Sequence, residues 1–289
     1  MGKKSLEKQK KLCGEEGFNQ FYGELYGERW NEIKLSFEKE NQAVEYRVLG
    51  AEKSYFLDSA SVLAALCLPL ATASETAENI LDLCAAPGGK TLVLASRMSQ
   101  SSSLSSNERS PERKHRLATV VQTCLPPQIS GRIKVSCSDG ATWCTRQSEC
   151  FDKILLDAPC SSERHVYNDP KYLKDWSPSR IKTVTTEQWA LLSSAYRLLK
   201  PEGILLYSTC ALCPDENDGM IERLFKKFNK DGKSFVLLEP EPNSKEVSDF
   251  AKITLPPYEK TKYGWQILPD ASGGAGPIYF SVIKKLKSL

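Results

Sequence analysis

Histidine is nearly missing from this chain, with two in 289 residues beside three methionines. Ten cysteines are present, but a structural zinc site wants paired C-x-x-C units, often completed by histidine. Only Cys210 and Cys213 have that spacing, so no metal is expected. No apolar run reaches membrane-spanning length and no hydrophobic signal segment opens the chain. A reducing cytosol is therefore the expected compartment, with most cysteines serving as small buried hydrophobes. Charge of one sign is lacking too: the net value is +3, which leaves any attraction of a polyanion to local patches. Lys3, Lys4, Lys8, Lys10 and Lys11 form one, and "IKKLKSL" adds three lysines at the other end; frayed, solvated termini account for both equally well. Internal repeats and a G-x-G-x-x-G dinucleotide fingerprint are absent.

What is present is an ordinary globular composition, 40% hydrophobic and 26% charged, in a chain long enough for one large α/β domain with a small appendage. Phe18, Phe21, Tyr22, Leu25, Tyr26, Trp30 and Ile33 recur at helical spacing and predict an amphipathic helical segment over 14–38. A second helix is expected over 59–70. Short apolar runs then alternate with helices: strands at 79–84, 103–107, 132–137, 152–157, 203–208 and 234–239, with helices at 89–99, 111–124, 184–200 and 216–229. Such alternation predicts a mostly parallel sheet covered on both faces. "YGWQIL" and "PIYFSVIKK", with no helix between them, predict an antiparallel finish. The organisation expected is an N-terminal helical extension over 1–53 and one α/β domain over 54–289.

"LDLCAAPGGKT" (81–91) ends like a triphosphate-binding loop. Yet Cys84 stands where the first glycine of G-x-x-x-x-G-K-[ST] belongs, and Pro87 has no N–H to give a phosphate. An ATP-driven enzyme is thereby disfavoured. In an open parallel sheet ligands bind beyond the carboxyl ends of the strands. Those ends carry "CAAPGG", then Glu108, Asp139, "DAPCS" (157–161) and "STC" (208–210). An acid at the second strand commonly grips a ribose diol, so an adenosine cofactor is implied. Cys160 and Cys210 share one pocket if the fourth and fifth strands are neighbours, their backbones then lying roughly 4.8 Å apart.

"LDLCAAPGGKT", "FDKILLDAPCS" and "LLYSTCALCPDEN", in this order and spacing, resemble the Sun-domain (Fmu-type) RNA cytosine-5 methyltransferases. "SYFLDSASVLAAL" and "ILPD…GPIYFSVIKK" are similar as well, so the resemblance runs from about residue 54 to 285. The compact rRNA- and tRNA-modifying type, without a C-terminal RNA-binding module, is the most similar. The resemblance implies a class I, Rossmann-like fold using S-adenosylmethionine. By family position Cys210 is the nucleophile that adds to carbon-6 of cytosine, and Cys160 serves release of the product. Asp157 would give ring nitrogen-3 a proton or hydrogen bond, and Lys90 could lower a thiol pKa, its alternative role being an exposed helix lysine. Cofactor contacts carry over to Cys84, Ala85, Ala86, Pro87, Gly88, Gly89, Lys90, Glu108, Asp139 and Asp157, with Arg113 behind them. Ser162 stands where many members have glycine, Glu108 where aspartate is commoner, and "GPIYF" where many have "GFF".

Cytosine inside a duplex hides carbons 5 and 6, so the target must be single-stranded or flipped. Residues 164–182 mix Arg164, Lys171, Lys174, Arg180 and Lys182 with Tyr167, Tyr172 and Trp176, which suits RNA binding and equally suits a helical lid packed by Trp176. RNA is the expected partner, rRNA ahead of tRNA, with a ribosomal particle or partner protein supplying part of the specificity. A DNA cytosine-5 enzyme, which would use Cys160, and a non-catalytic RNA-binding scaffold are the rival readings.

Overall fold

The structure, a computed structural model, describes residues 12–39, 43–71, 76–229, 231–242 and 253–287. The lysines at positions 3 to 11 lie outside the described residues. The predicted N-terminal helix is two: α1 (Gly14–Tyr26) and α2 (Arg29–Phe37). They part at Gly27, whose φ of +57° suits glycine and ends α1 with an N–H bond to the Gly23 carbonyl. The hairpin that follows, β1 (Ala43–Tyr46) and β2 (Tyr55–Asp58), is not foreseen by the sequence pattern. Each strand has only four residues, and Phe56 faces solvent. α3 (Ser59–Leu66) starts where the Asp58 carboxylate accepts the Ala60 N–H at 2.7 Å, and stops short of the predicted Leu70, three residues before Pro69.

From there the chain alternates: β3 (Asn79–Asp82), α4 (Gly89–Arg97), β4 (Ser103–Glu108), α5 (Pro111–Thr123), a short α6 (Pro127–Ser130), β5 (Ile133–Cys137) and β6 (Phe151–Asp157). Two short helices, α7 (Glu163–Asn168) and α8 (Pro170–Lys174), lead into α9 (Pro178–Leu198), which begins earlier than expected because Pro178 opens its first turn. β7 (Leu199–Thr209), α10 (Asp218–Phe228), β8 (Phe235–Leu238), β9 (Glu259–Lys260), β10 (Trp265–Ile267) and β11 (Ile278–Lys285) complete the order.

The main sheet runs β5-β4-β3-β6-β7-β11-β10-β9, with β8 also paired to β11. Its first five strands are parallel and β11 is antiparallel to β7, Tyr279 lying opposite Thr209. The mostly parallel sheet with an antiparallel finish is thus as the pattern predicted. Alternate residues serve opposite faces: Leu155 and Leu206 join a core with α3, α4 and α5, while Ile154 and Leu205 join one with α9 and α10. A third core holds Phe18, Tyr22, Trp30, Ile33 and Phe37 of α1 and α2 against Val166, Trp176 and Leu212. The order reverses at β3, where β4 lies on one side and β6 on the other. At such a reversal the loops beyond the strand ends diverge and leave a crevice.

Candidate active site

The crevice is a cleft of about 350 Å³ lined by Cys84, Glu108, Arg113, Asp139, Cys160 and Cys210, among others. A neighbouring recess of about 240 Å³ takes in Ala85, Pro87, Gly89 and Lys90, with Cys84, Ala86 and Asp157 lining both. The strand-end residues picked out in the sequence are thereby brought together. Gly88 differs: its φ is +121°, and a Cβ there would meet Val120 at 2.9 Å, so it presses the loop onto α5. Glu108 is 4% exposed; it accepts the Ser110 N–H at 2.9 Å and faces Arg113 at 3.4 Å. Arg113 in turn donates to the Ala86 carbonyl at 2.7 Å, which ties the first loop to the end of β4. Asp139 caps the short 3-10 turn Gly140–Thr145 by accepting the Ala141 N–H.

The other half of the site depends on strand register. Asp157 on β6 lies opposite Ser208 on β7. Three residues past the first and two past the second, Cys160 Sγ and Cys210 Sγ stand 2.7 Å apart. Ser162 Oγ is 3.4 Å from each sulfur. The thiols are unequal. A hydrogen bond from Cys160 stabilises the thiolate of Cys210 and lowers its pKa against the opposing effect of burial. The same bond, with burial, holds the Cys160 thiol well above its ordinary value. Cys210 is therefore the more readily ionised of the two.

Lys90 is not an exposed helix lysine. Its side chain is 11% exposed and donates to Asp157 Oδ2 at 2.7 Å, with Ser61 Oγ at 3.4 Å. Burial works to lower its pKa, and the Asp157 charge and hydrogen bond outweigh that, so the ammonium is retained. Asp157 Oδ1 accepts the Ser208 hydroxyl at 2.8 Å. Beneath the loop, Asp82 is buried with Oδ1 unpartnered; burial pushes its pKa up to about 7 against a 2.6 Å hydrogen bond from Thr91 to Oδ2. Ser61 and Asp82 carried no sequence signal of their own, although Asp82 lies inside the strand predicted over 79–84. Ser208 was legible as part of the strand-end "STC", and Ser162 only as a departure from glycine.

Cys210 also lines a groove of about 390 Å³ on the other side, with Asp58, Ser162, Arg164, His165 and Asn168. The basic and aromatic segment 164–182 divides here. Trp176 is 2% exposed in the third core and Arg164 donates to the carbonyls of Gly274, Gly276 and Lys39. Tyr167 stacks on Phe18 and bonds Glu38. These three hold the wall together. His165, Tyr172 and Arg180 remain exposed in a ladder, ring centroids 5.2 Å apart and the guanidinium 5.9 Å over Tyr172, with Lys171, Lys174 and Lys182 exposed nearby.

Known proteins are similar to this chain in sequence and in fold. The family model described as "16S rRNA methyltransferase RsmB/F" matches residues 69–267. The mitochondrial tRNA (cytosine(34)-C(5))-methyltransferase of Danio rerio is 31% identical over 234 residues, 80% of this chain and 60% of its own. The 5-cytosine rRNA methyltransferase NSUN4 of Mus musculus is 30% identical over 250 residues, covering 82% and 61%. This chain thus spans about 60% of the length of the curated relatives it matches. A methyltransferase homologue of Pyrococcus horikoshii shares the fold, with a TM-score of 0.66 at 22% identity over 99% of this chain and 100% of that one. No described helix is long and apolar enough to cross a membrane.

Proposed function

This chain belongs to the RsmB/F methyltransferase family, and on that premise we propose that it methylates carbon-5 of a cytosine in structured RNA. The observation that carries the reading is the contact of two unequal thiols in the wall between two cavities. A sheet-end cleft with an acid at β4 suits a nucleoside, and a groove with exposed aromatics and cations suits RNA. Ribosomal RNA is the first choice and transfer RNA the second, since relatives of both descriptions match. A ribosomal particle or partner protein supplying specificity belongs to the same proposal.

The residues fit S-adenosylmethionine. An unpartnered, buried carboxylate oxygen on Asp82 suits its cationic methionine part, and Glu108 suits its ribose diol. When bound, the cofactor supplies an electrophilic methyl group on a sulfonium. The Cys210 thiolate adds to carbon-6, forming the S–C bond. The ring double bond shifts its electrons toward nitrogen-3, which takes a proton passed from the Lys90 ammonium through Asp157, and carbon-5 becomes nucleophilic. Before that step the Lys90 charge lies beside both Asp157 and Cys210. After carbon-5 has taken the methyl group, the Cys160 thiol gives its own proton to water and the bared sulfur takes the proton from carbon-5. The C–H electron pair restores the double bond and the S–C bond to Cys210 breaks, while nitrogen-3 returns its proton through Asp157 to Lys90. A DNA-type mechanism through Cys160 is disfavoured because Cys160 is the thiol held protonated.

The test is to incubate Cys160→Ala and Cys210→Ala proteins with RNA and cofactor and resolve covalent complexes on a denaturing gel. Adduct should accumulate with Cys160→Ala and be absent with Cys210→Ala. Adduct on the Cys210→Ala protein would reverse the roles of the thiols.

A further inference from the structure

Two buried carboxylates lie directly behind the thiols and take no part in the chemistry above. Glu163, first residue of α7, and Glu216, in the turn after Cys210, are both fully buried, and neither has a salt bridge among the described residues. Ser161 sits between them, its hydroxyl in short contact with Oε1 of each. A hydroxyl carries one proton and can donate to only one of two carboxylates. The second contact needs a further hydrogen, and a carboxyl group is the source.

The remaining hydrogen bonds say which carboxyl. Glu163 accepts on both oxygens: Tyr22 OH reaches Oε1 at 2.5 Å and the Leu212 N–H reaches Oε2 at 2.9 Å. Glu216 accepts the Ser161 N–H and Gln188 Nε2 on Oε2 alone, each at 2.9 Å, and its Oε1 meets only Ser161 Oγ. We propose that Glu216 is held protonated, donating through Ser161 to an ionised Glu163, and that this shared proton positions Cys160 and Cys210. Burial first, then the Glu163 charge, push the Glu216 pKa up to about 7, in keeping with the count. Facing the pair are Tyr26 and Glu163's donor Tyr22 from α1, Tyr207 from β7, and the thiols Cys160, Cys210 and Cys213. All but Cys210 are held up and stay neutral, and Cys210 can ionise only to an anion, so none offers a countercharge.

The positioning follows from where the ends attach. Ser161 adjoins Cys160, and Leu212 lies two residues beyond Cys210. The relay therefore spans the two loops, and Tyr22 braces it from the N-terminal helices. Glu163 and Glu216 are positioning residues, since they touch the loops rather than the reacting atoms.

The proposal rests on the function above only in treating the thiols as the reacting atoms, and it is tested without RNA or cofactor. In Glu216→Gln the amide N–H replaces the acid proton toward Ser161. Melting of the full chain should match the parent at pH 5 and exceed it at pH 8 by about 5 °C or more, because the parent alone loses stability as Glu216 ionises. Glu163→Gln, which turns an N–H toward a fixed donor, should melt lower at both values. Disulfide formation between Cys160 and Cys210 with oxidised glutathione reads the thiol spacing. It should slow about tenfold or more in Ser161→Ala, which keeps both carboxyls, and in Glu163→Gln. Equal effects of the two Gln variants, or Glu216→Gln melting lower throughout, would overturn the shared proton. Parental oxidation rates in Ser161→Ala would overturn the positioning role. Absence of methyl transfer by the unsubstituted protein, with both readouts as expected, would count against the proposed function instead.

Discussion

The two halves of the cleft are built differently. On the side of β3, β4 and β5, the two acids are held by their own neighbourhoods: Asp139 caps the turn it begins, and Glu108 accepts an N–H two residues away. On the side of β6 and β7, nearly every important contact joins distant segments, as Cys160 to Cys210, Lys90 to Asp157 and Tyr22 to Glu163. Changes on the first side should act singly, and changes on the second should propagate.

The largest effect is expected at the coupled side. Cys210→Ser should reduce methyl incorporation into RNA by at least about a thousandfold, and adding Cys160→Ala should cost little more. Lys90→Met comes next, with a single-turnover rate lower by roughly ten- to a hundredfold. It should also shift iodoacetamide labelling of Cys210 to higher pH, because the thiolate loses a nearby cation. Glu108→Gln tests the local side: donor affinity by calorimetry should weaken about tenfold while the labelling profile of Cys210 stays as it is.

Smaller effects concern stability. Asp82 has a folded-state pKa raised to about 7, so its ionisation disfavours folding increasingly as pH rises from about 4 to about 7. Asp82→Asn should leave melting unchanged near pH 4 and raise it by several degrees above pH 7, in protein free of cofactor. Ser162 has φ +56°, the left-handed region that glycine enters without strain, and its hydroxyl supports the Cys210 thiolate. Ser162→Gly should stabilise the fold by about 1 kcal/mol, read as a Tm rise, while moving Cys210 labelling to higher pH. A more stable fold with a less readily ionised thiol would separate backbone strain from thiol chemistry; a lower Tm, or an unmoved labelling profile, would break the comparison.

Legibility in the sequence follows the same division. Strand-end motifs such as "CAAPGG", "DAPCS" and "STC" are local, and the parallel alternation that aligns them is periodic, so both could be read. Lys90 could not be distinguished from a surface lysine, because its partner Asp157 is 67 positions away. Glu163 sits in "SSER" and Glu216 opens the helix predicted over 216–229, neither position marking an interior residue, and only the fold reveals that both are buried. Trp176 looked as fit for RNA as for the core; aromatic residues in a basic run say nothing of which way they turn. The β1–β2 hairpin was lost because four-residue strands with one apolar side chain in solvent carry too little periodicity.

The place of β11 between β7 and the outer strands has a bearing on how the protein is made. Until residues 278–285 leave the ribosome, the outer edge of the strand bearing Ser208 and Thr209 has no hydrogen-bonding neighbour. A chain that stops before residue 278 holds the Cys210 loop on an unfinished sheet. Completion of that wall of the cleft is in this way deferred until β11 has been made.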